Sequence, residues 1–129
     1  MKKKLRLKNK FFPVNIPLVT KKNIKDVNTA IKSGWISSEG PNVVKFEKKL
    51  SKKINRRFGI AVSSGTAALE IAVKSLNLKS KSEIIIPNFS IISSALAVIK
   101  NNHKPVFIDC DRFNWNMKID DIEKKITKN

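Results

Sequence analysis

Apolar residues in the first half of the chain recur at helical spacing. The pattern from Lys22 to Ser33 predicts an amphipathic helix, and Gly34 is placed to end it. A second such pattern follows the loop WISSEGP and predicts another helix, with Pro41 in its first turn. We therefore expect an N-terminal helical segment over residues 13–57. A basic extension, residues 1–12, precedes it and is expected to be disordered.

After residue 57, short apolar runs alternate with helical patterns. Strands are predicted over FGIAV (58–62), EIIIP (83–87) and PVFID (105–109), and helices over 66–76, 90–100 and 118–126. The segment 90–100 is rich in β-branched residues that would also suit a strand, but its length and its place between two strands favour a helix. In the helix 66–76, four residues are expected to face inward: Leu69, Ile71, Ala72 and Leu76. This alternation predicts an α/β fold with βαβ units and a parallel sheet over residues 58–129. Three strands cover their own edges poorly, so this domain looks incomplete.

The charge is strongly basic, with a formal net charge of +17. An excess of this size is typical of proteins that bind nucleic acid or anionic membranes. Four of the 27 basic residues are arginine, and the lysines are scattered along the chain, which favours biased composition. A small nucleic-acid-binding module that uses the leader and the cluster Lys52–Arg57 stays open as an alternative, although no nucleic-acid motif supports it.

The cysteine content and the length of the apolar runs indicate the cellular compartment of the protein. Cys110 is the only cysteine, so an intrachain disulfide is impossible and a reducing compartment fits. The basic start is not followed by the apolar stretch of about 7–15 residues that a secretory signal needs. No apolar run approaches the roughly 20 residues that span a bilayer. We expect a cytoplasmic protein without membrane contact.

The join between the first predicted strand and its helix reads Ser63-Ser64-Gly65-Thr66-Ala67. Ligands of βαβ units gather at the carboxyl ends of strands, where the following helix begins. N–H groups in the first turn of a helix have no internal partners and carry partial positive charge, so small and hydroxyl-bearing residues there suit a phosphate group. The alternative is that Ser64 or Thr66 merely caps the helix. The spacing matches neither a Walker loop nor GxGxxG.

Other chemistry-bearing residues are few. Asp109 and Asp111 form a carboxylate pair at the end of a predicted strand, but with only His103 available no cluster of metal ligands supports them, and we predict no metal site. Asp109 is expected to shape the turn, and His103 to lie at the surface. Cys110 has no candidate catalytic partner, so we predict no nucleophilic role.

Several linked motifs resemble the sugar aminotransferases of the DegT/DnrJ/EryC1/StrS family. The likeness runs through AVSSGTAALEIAVKSL and EIIIPNFSIISSALAVIKNNHKPVFIDCD and covers residues 15–127. Within the family, GWISSEG and WNM are most similar to enzymes of the GDP-perosamine synthase type. The resemblance implies a fold-type I large domain dependent on pyridoxal 5′-phosphate (PLP), a three-layer αβα structure with a mainly parallel sheet, here truncated.

The resemblance also implies a cofactor site. In the family, the SGTA turn holds the phosphate of PLP, so Gly65, Thr66 and Ala67 would donate N–H groups, Thr66 would add its hydroxyl, and Ser64 would shape the turn. Ile91 matches a position that lies against the pyridine ring, where many relatives have an aromatic residue. An ordinary core position for Ile91 remains the alternative.

The implied reaction is transamination of a nucleotide-linked 4-keto-6-deoxy sugar with glutamate as amino donor, by a homodimer, in the synthesis of surface polysaccharides, the O-antigen of lipopolysaccharide or related glycans. None of the lysines here lies in the family's catalytic motif, so no catalytic residue is nominated. We therefore expect an N-terminal fragment that binds PLP weakly or not at all and is inactive alone. A non-catalytic partner subunit of a complete homologue stays open as a third interpretation.

Overall fold

A computed structural model gives the structure of residues 13–127; the predicted disorder of residues 1–12 lies outside the described residues. The elements in chain order are α1 Lys21–Lys32, α2 Pro41–Lys53, α3 Gly65–Ser75, β1 Glu83–Pro87, α4 Ser93–Lys100, β2 Lys104–Ile108 and α5 Ile119–Lys125. The chain divides into two compact units, one that ends at Gly59 and one that begins at Ile60.

Local chemistry explains where the first helices begin and end. Thr20 caps α1, since its hydroxyl accepts from the N–H of Asn23 at 3.2 Å while the Asn23 side chain accepts from the N–H of Thr20 at 2.9 Å. Gly34 follows α1 in the left-handed conformation, with φ of 74°. Pro41 occupies the first position of α2, where its missing N–H is not needed. The helix predicted from Lys22 to Ser33 is confirmed to within one residue at each end, and the second predicted helix is confirmed with Pro41 at its start.

The sheet in residues 13–127 has two parallel strands, not three. Glu83 of β1 pairs with Lys104 of β2, and Pro87 pairs with Ile108 at the other end. The strand predicted over residues 58–62 is wrong: this segment forms no strand in the part of the chain that the structure describes, and Phe58 is 73% exposed. An apolar run indicates which residues suit burial, but a strand also needs a neighbouring backbone to pair with.

Helix α4 connects the two strands and carries the core. Ala95, Val98 and Ile86 of β1 are buried together, and Ile84 packs against them. Ile108 of β2 is also fully buried. The helix predicted over residues 90–100 is confirmed in its C-terminal eight residues, and the βαβ unit is therefore present.

Helix α3 packs against α4, but its predicted inward face is wrong. Leu69, Ile71 and Leu76 keep 39%, 50% and 62% of their surface exposed, and Ala72 is exposed as well. No residue of α3 is buried. A helix that contacts one neighbour can cover one side of its apolar face only, so the spacing of apolar residues overestimates burial here.

None of the described helices is long and apolar enough to cross a membrane.

Candidate functional site at the start of helix α3

Ser64 is the N-cap of α3. Its backbone is extended, with φ of −161°, and its hydroxyl accepts a hydrogen bond from the N–H of Ala67 at 3.1 Å. The N–H of Ala68 donates to the Ser64 carbonyl at 3.0 Å and starts the helical ladder. Ser64 therefore caps the helix. The cap also means that the predicted phosphate donor Ala67 already has a partner in its N–H bond to Ser64.

The N–H groups of Gly65 and Thr66 stand at the open end of the helix. Across residues 13–127, neither group donates a hydrogen bond within the protein. A methyl group built on Gly65 would meet no atom within 4 Å, so the space beside the Gly65 Cα is open. The first turn of α3 contains no acidic residue that would cancel its partial positive charge. These features suit an anion.

A hydroxyl pair joins the first turns of two helices. The Thr66 hydroxyl lies 2.8 Å from the hydroxyl of Ser93, the first residue of α4, in a partly buried position. Helix α4 also has no acidic residue in its first turn. Ser93 was not singled out from the sequence, because it lies 27 positions from Thr66 and no local pattern connects them. The positive ends of α3 and α4 are thus held side by side.

Two loops extend from the carboxyl ends of the strands. The N–H of Asn88 donates to the carbonyl of Ile108 at 2.8 Å, and beyond it the rings of Phe89 and Trp115 pack at a centroid distance of 5.1 Å. Ile91 lies in the first loop, two residues before Ser93, and is 71% exposed. The alternative of an ordinary core position for Ile91 is therefore wrong for this chain. The aromatic pair was likewise not anticipated, since it joins residues of separate loops.

The carboxylates of Asp109 and Asp111 are engaged by the backbone. Asp109 accepts from the N–H of Cys110 at 2.8 Å, and Asp111 accepts from the N–H groups of Phe113 and Asn114 at 2.9 and 3.0 Å. Both residues therefore shape the turn after β2, as predicted for Asp109. In residues 13–127 no three His, Cys, Asp or Glu side chains are grouped as metal ligands. His103 is half-buried with a buried Nδ1, so its predicted surface position is wrong.

The residues of the turn fit a phosphate ester. Two unbonded N–H groups, one adjacent hydroxyl and an open approach over a glycine are what an anionic oxygen needs at a helix start. The cap hydroxyl of Ser64 fixes the helix start, and the hydroxyl of Ser93 lies next to that of Thr66. The turn can bind and orient a phosphate group, and no residue in it is a candidate for proton transfer.

The sequence is similar to that of known aminotransferases and related proteins. The model of the DegT/DnrJ/EryC1/StrS aminotransferase family matches residues 17–129. GDP-perosamine synthase of Escherichia coli O157:H7 is 37% identical over 118 residues, which are 92% of this chain and 32% of that protein. The spore coat polysaccharide biosynthesis protein SpsC of Bacillus subtilis (strain 168) is 33% identical over 120 residues, 93% of this chain and 31% of that protein. The chain thus spans about a third of the length of these relatives.

Solved structures share the fold. Spr1654 of Streptococcus pneumoniae in its PLP form superposes with a TM-score of 0.80 at 28% identity and covers 90% of this chain and 29% of that one. A GDP-4-keto-6-deoxy-D-mannose-3-dehydratase of E. coli with bound hydrated PLP gives a TM-score of 0.82, with coverage of 92% and 32%; at 21% identity it shows the fold alone.

The fold is therefore part of the α/β fold of type I PLP-dependent enzymes, with a short parallel sheet and a phosphate-compatible turn at the start of a helix. The chain belongs to the DegT/DnrJ/EryC1/StrS aminotransferase family.

Proposed function

We propose that this chain supplies the phosphate-holding part of a PLP-dependent sugar aminotransferase. The observation that supports the proposal is the first turn of α3, where the N–H groups of Gly65 and Thr66 donate no hydrogen bond within residues 13–127 and the space beside Gly65 is open. When bound, PLP supplies the electron sink through which an amino group passes between donor and acceptor. The contribution of this chain is to hold the phosphate end of the cofactor and so fix its orientation.

Each residue of the turn has a defined part in this proposal. Gly65 and Thr66 donate their N–H groups, and Thr66 donates its hydroxyl. Ser64 fixes the helix start through its bond to Ala67, whose N–H reaches the phosphate only if it is shared with that cap. Ile91 presents an exposed aliphatic side chain to the face of the pyridine ring.

The names of the relatives support a proposal for the substrate class. Two matched proteins, from E. coli O157:H7 and Vibrio cholerae, are GDP-perosamine synthases, and SpsC has a name that refers to spore coat polysaccharide synthesis. We infer a nucleotide-linked 4-keto-6-deoxy sugar as amino acceptor and glutamate as amino donor. The complete enzyme would act as a homodimer in the cytoplasm, in the synthesis of a surface glycan.

The catalytic lysine is proposed to lie outside these 129 residues. No lysine of this chain stands in the family's catalytic motif, so the chain alone should neither transfer amino groups nor hold PLP covalently. Incubation with PLP, reduction with borohydride and peptide mapping test this. Scattered substoichiometric labelling of many lysines is expected, and one stoichiometrically labelled lysine would overturn the proposal.

The phosphate turn is tested with pyridoxine 5′-phosphate, which lacks the aldehyde that reacts with lysines. We expect weak binding by the isolated chain, with a Kd of about 1 mM or weaker, because much of the pocket is outside it. Amide NMR spectra should shift first at Gly65 and Thr66. Pyridoxine, which has no phosphate, serves as the control and should leave both amides unmoved. Equal shifts with both ligands, or shifts confined to surface lysines, would contradict the proposal.

A further inference from the structure

We propose that Ser93 is a positioning residue of this site, whose hydroxyl orients the hydroxyl of Thr66 toward the phosphate of the cofactor. The inference rests on the proposed function of the α3 turn and adds a residue from a different helix. Ser93 makes no contact with the phosphate in this proposal. It acts through Thr66, from which its own hydroxyl is separated by 2.8 Å.

The donor and acceptor capacities of the two hydroxyls set the direction of this bond. A hydroxyl has one proton to donate and two lone pairs that accept. A phosphate oxygen only accepts, so beside an anion the Thr66 proton goes to the anion. The Thr66 oxygen can then accept from Ser93, and the result is a chain of two bonds from Ser93 through Thr66 to the phosphate. Successive bonds of this kind polarise and strengthen one another.

The surroundings leave the Ser93 hydroxyl available for this role. Ser93 begins α4, whose N-cap residue Ile92 makes no side-chain capping bond, and the N–H of Ser94 is held by the carbonyl of Ile91 at 3.2 Å. In the described residues, the Ser93 hydroxyl bonds to Thr66 and is not used for a cap. The bond also selects one χ1 rotamer for Thr66, since a helical threonine otherwise divides between two.

The test compares four variants of the 129-residue chain by amide NMR titration with pyridoxine 5′-phosphate. Ser93→Ala removes the hydroxyl and should weaken binding at Gly65 and Thr66 about 3- to 10-fold, the effect of one lost hydrogen bond. Ser93→Thr restores the hydroxyl and should restore affinity. Ser94→Ala is the matched control: it removes a neighbouring hydroxyl of the same helix whose nearest partner is Ser90, at 3.4 Å. It should bind like the wild type. Ser93→Cys keeps the shape with a weak donor and should lie between wild type and Ser93→Ala.

A second readout separates positioning from a structural role. The three-bond couplings that report Thr66 χ1 should show one rotamer in the wild type and in Ser94→Ala, and rotamer averaging in Ser93→Ala. Equal affinities and equal couplings for wild type and Ser93→Ala overturn the role of Ser93 and leave the phosphate turn intact. If Ser93→Ala is unfolded, as a loss of amide dispersion would show, the affinity of Ser93→Cys is measured instead. Wild-type affinity in Ser93→Cys would then overturn the role of Ser93. No shift at Gly65 and Thr66 in the wild type overturns both this proposal and the proposed function.

Discussion

Gly65 lies at a position where the fold does not require glycine. Its φ lies outside the left-handed region, and a methyl group there meets no atom within 4 Å. Gly65→Ala should therefore leave the free energy of unfolding unchanged or raise it by up to about 1 kcal/mol, because alanine favours helix. In the proposed site the same methyl group would crowd a phosphate at this turn, so we expect it to weaken binding of pyridoxine 5′-phosphate several-fold. Urea unfolding and NMR titration measure the two effects.

Gly59→Ala is the matched control for Gly65→Ala. Its new methyl group would stand 2.9 Å from the backbone carbonyl oxygen of Glu47, which must move. This substitution should destabilise the chain by about 1–3 kcal/mol, as overpacking does, and leave phosphate affinity unchanged in the folded protein. If Gly65→Ala destabilises as much as Gly59→Ala, or binds phosphate like the wild type, the assignment of Gly65 to the ligand site is wrong.

At the level of single residues, the sequence predicts local features better than contacts between distant positions. The cap formed by Ser64 could be predicted from the sequence, because capping joins residues three positions apart. Asn102 takes a left-handed backbone, with φ of 61°, as asparagine tolerates. The bond between Ser93 and Thr66 joins positions 27 apart, and only the packing of α4 against α3 brings them together.

At the scale of elements, Asn101 ties the end of α4 to α3. Its side-chain amide donates to the carbonyls of Glu70 at 3.0 Å and Ala97 at 2.8 Å. Asn101→Ala leaves both partly buried carbonyls without this donor and should cost about 1–3 kcal/mol of unfolding free energy. Lys100→Ala removes the neighbouring ion pair with Glu70, whose lysine side chain is 56% exposed, and should cost about 0–1 kcal/mol. Thermal unfolding measures the stability of both variants. A larger loss of stability for Lys100→Ala than for Asn101→Ala would show that Asn101 is not the main tie between the two helices.

An ion pair on α1 makes the charge of Asp26 depend on Lys22. The Lys22 ammonium, hydrogen-bonded to Asp26 at 2.7 Å, lowers the pKa of that carboxyl below its ordinary value of 3.8. A carboxyl whose pKa is lower in the folded state stabilises the protein above the unfolded pKa, and this contribution is lost as pH falls through the folded pKa. Lys22→Gln should raise the pKa of Asp26 toward the ordinary value, as followed by carboxyl carbon NMR.

The corresponding pair on α5 is the control for that titration. Lys124 lies 2.8 Å from Asp121, and its hydrogen bond lowers the pKa of the Asp121 carboxyl. Lys124→Gln should raise the pKa of Asp121 and leave that of Asp26 as it is in the wild type. An Asp26 pKa that does not respond to Lys22→Gln would show that the pair is not formed in solution.

Helices and strands were predicted with different success, because some depend on local sequence and others on distant neighbours. The five helices α1 to α5 and the strands β1 and β2 were expected at these places in the sequence, because periodic apolar spacing and turn residues are local properties. The strand expected over residues 58–62 is not formed, since pairing needs a second backbone that apolar spacing cannot supply. Burial in α3 was overestimated for the same reason: inward residues need a neighbour to cover them.

At the scale of the whole molecule, the net charge of +17 raises the question of nucleic acid. Scattered lysines give weak, salt-sensitive attraction to phosphates without sequence preference, so we expect Kd values for duplex DNA of about 1 μM or weaker at physiological salt. Deletion of residues 1–10 should change them little. Submicromolar, steeply salt-dependent binding that is lost with residues 1–10 would instead support the nucleic-acid module, and filter binding at several salt concentrations distinguishes the two.

A hybrid enzyme shows whether the turn at the start of α3 holds the phosphate of the cofactor. Residues 17–127 of this chain replace the matching third of GDP-perosamine synthase from E. coli O157:H7, to which the chain is 37% identical. We expect a folded hybrid that retains PLP, seen by its visible absorbance, and aminates the sugar substrate of the parent enzyme. Gly65→Val in the hybrid should release PLP without unfolding it. A folded hybrid that holds no PLP while the parent does, or one whose PLP affinity is unaffected by Gly65→Val, would contradict the claim that this turn holds the cofactor phosphate.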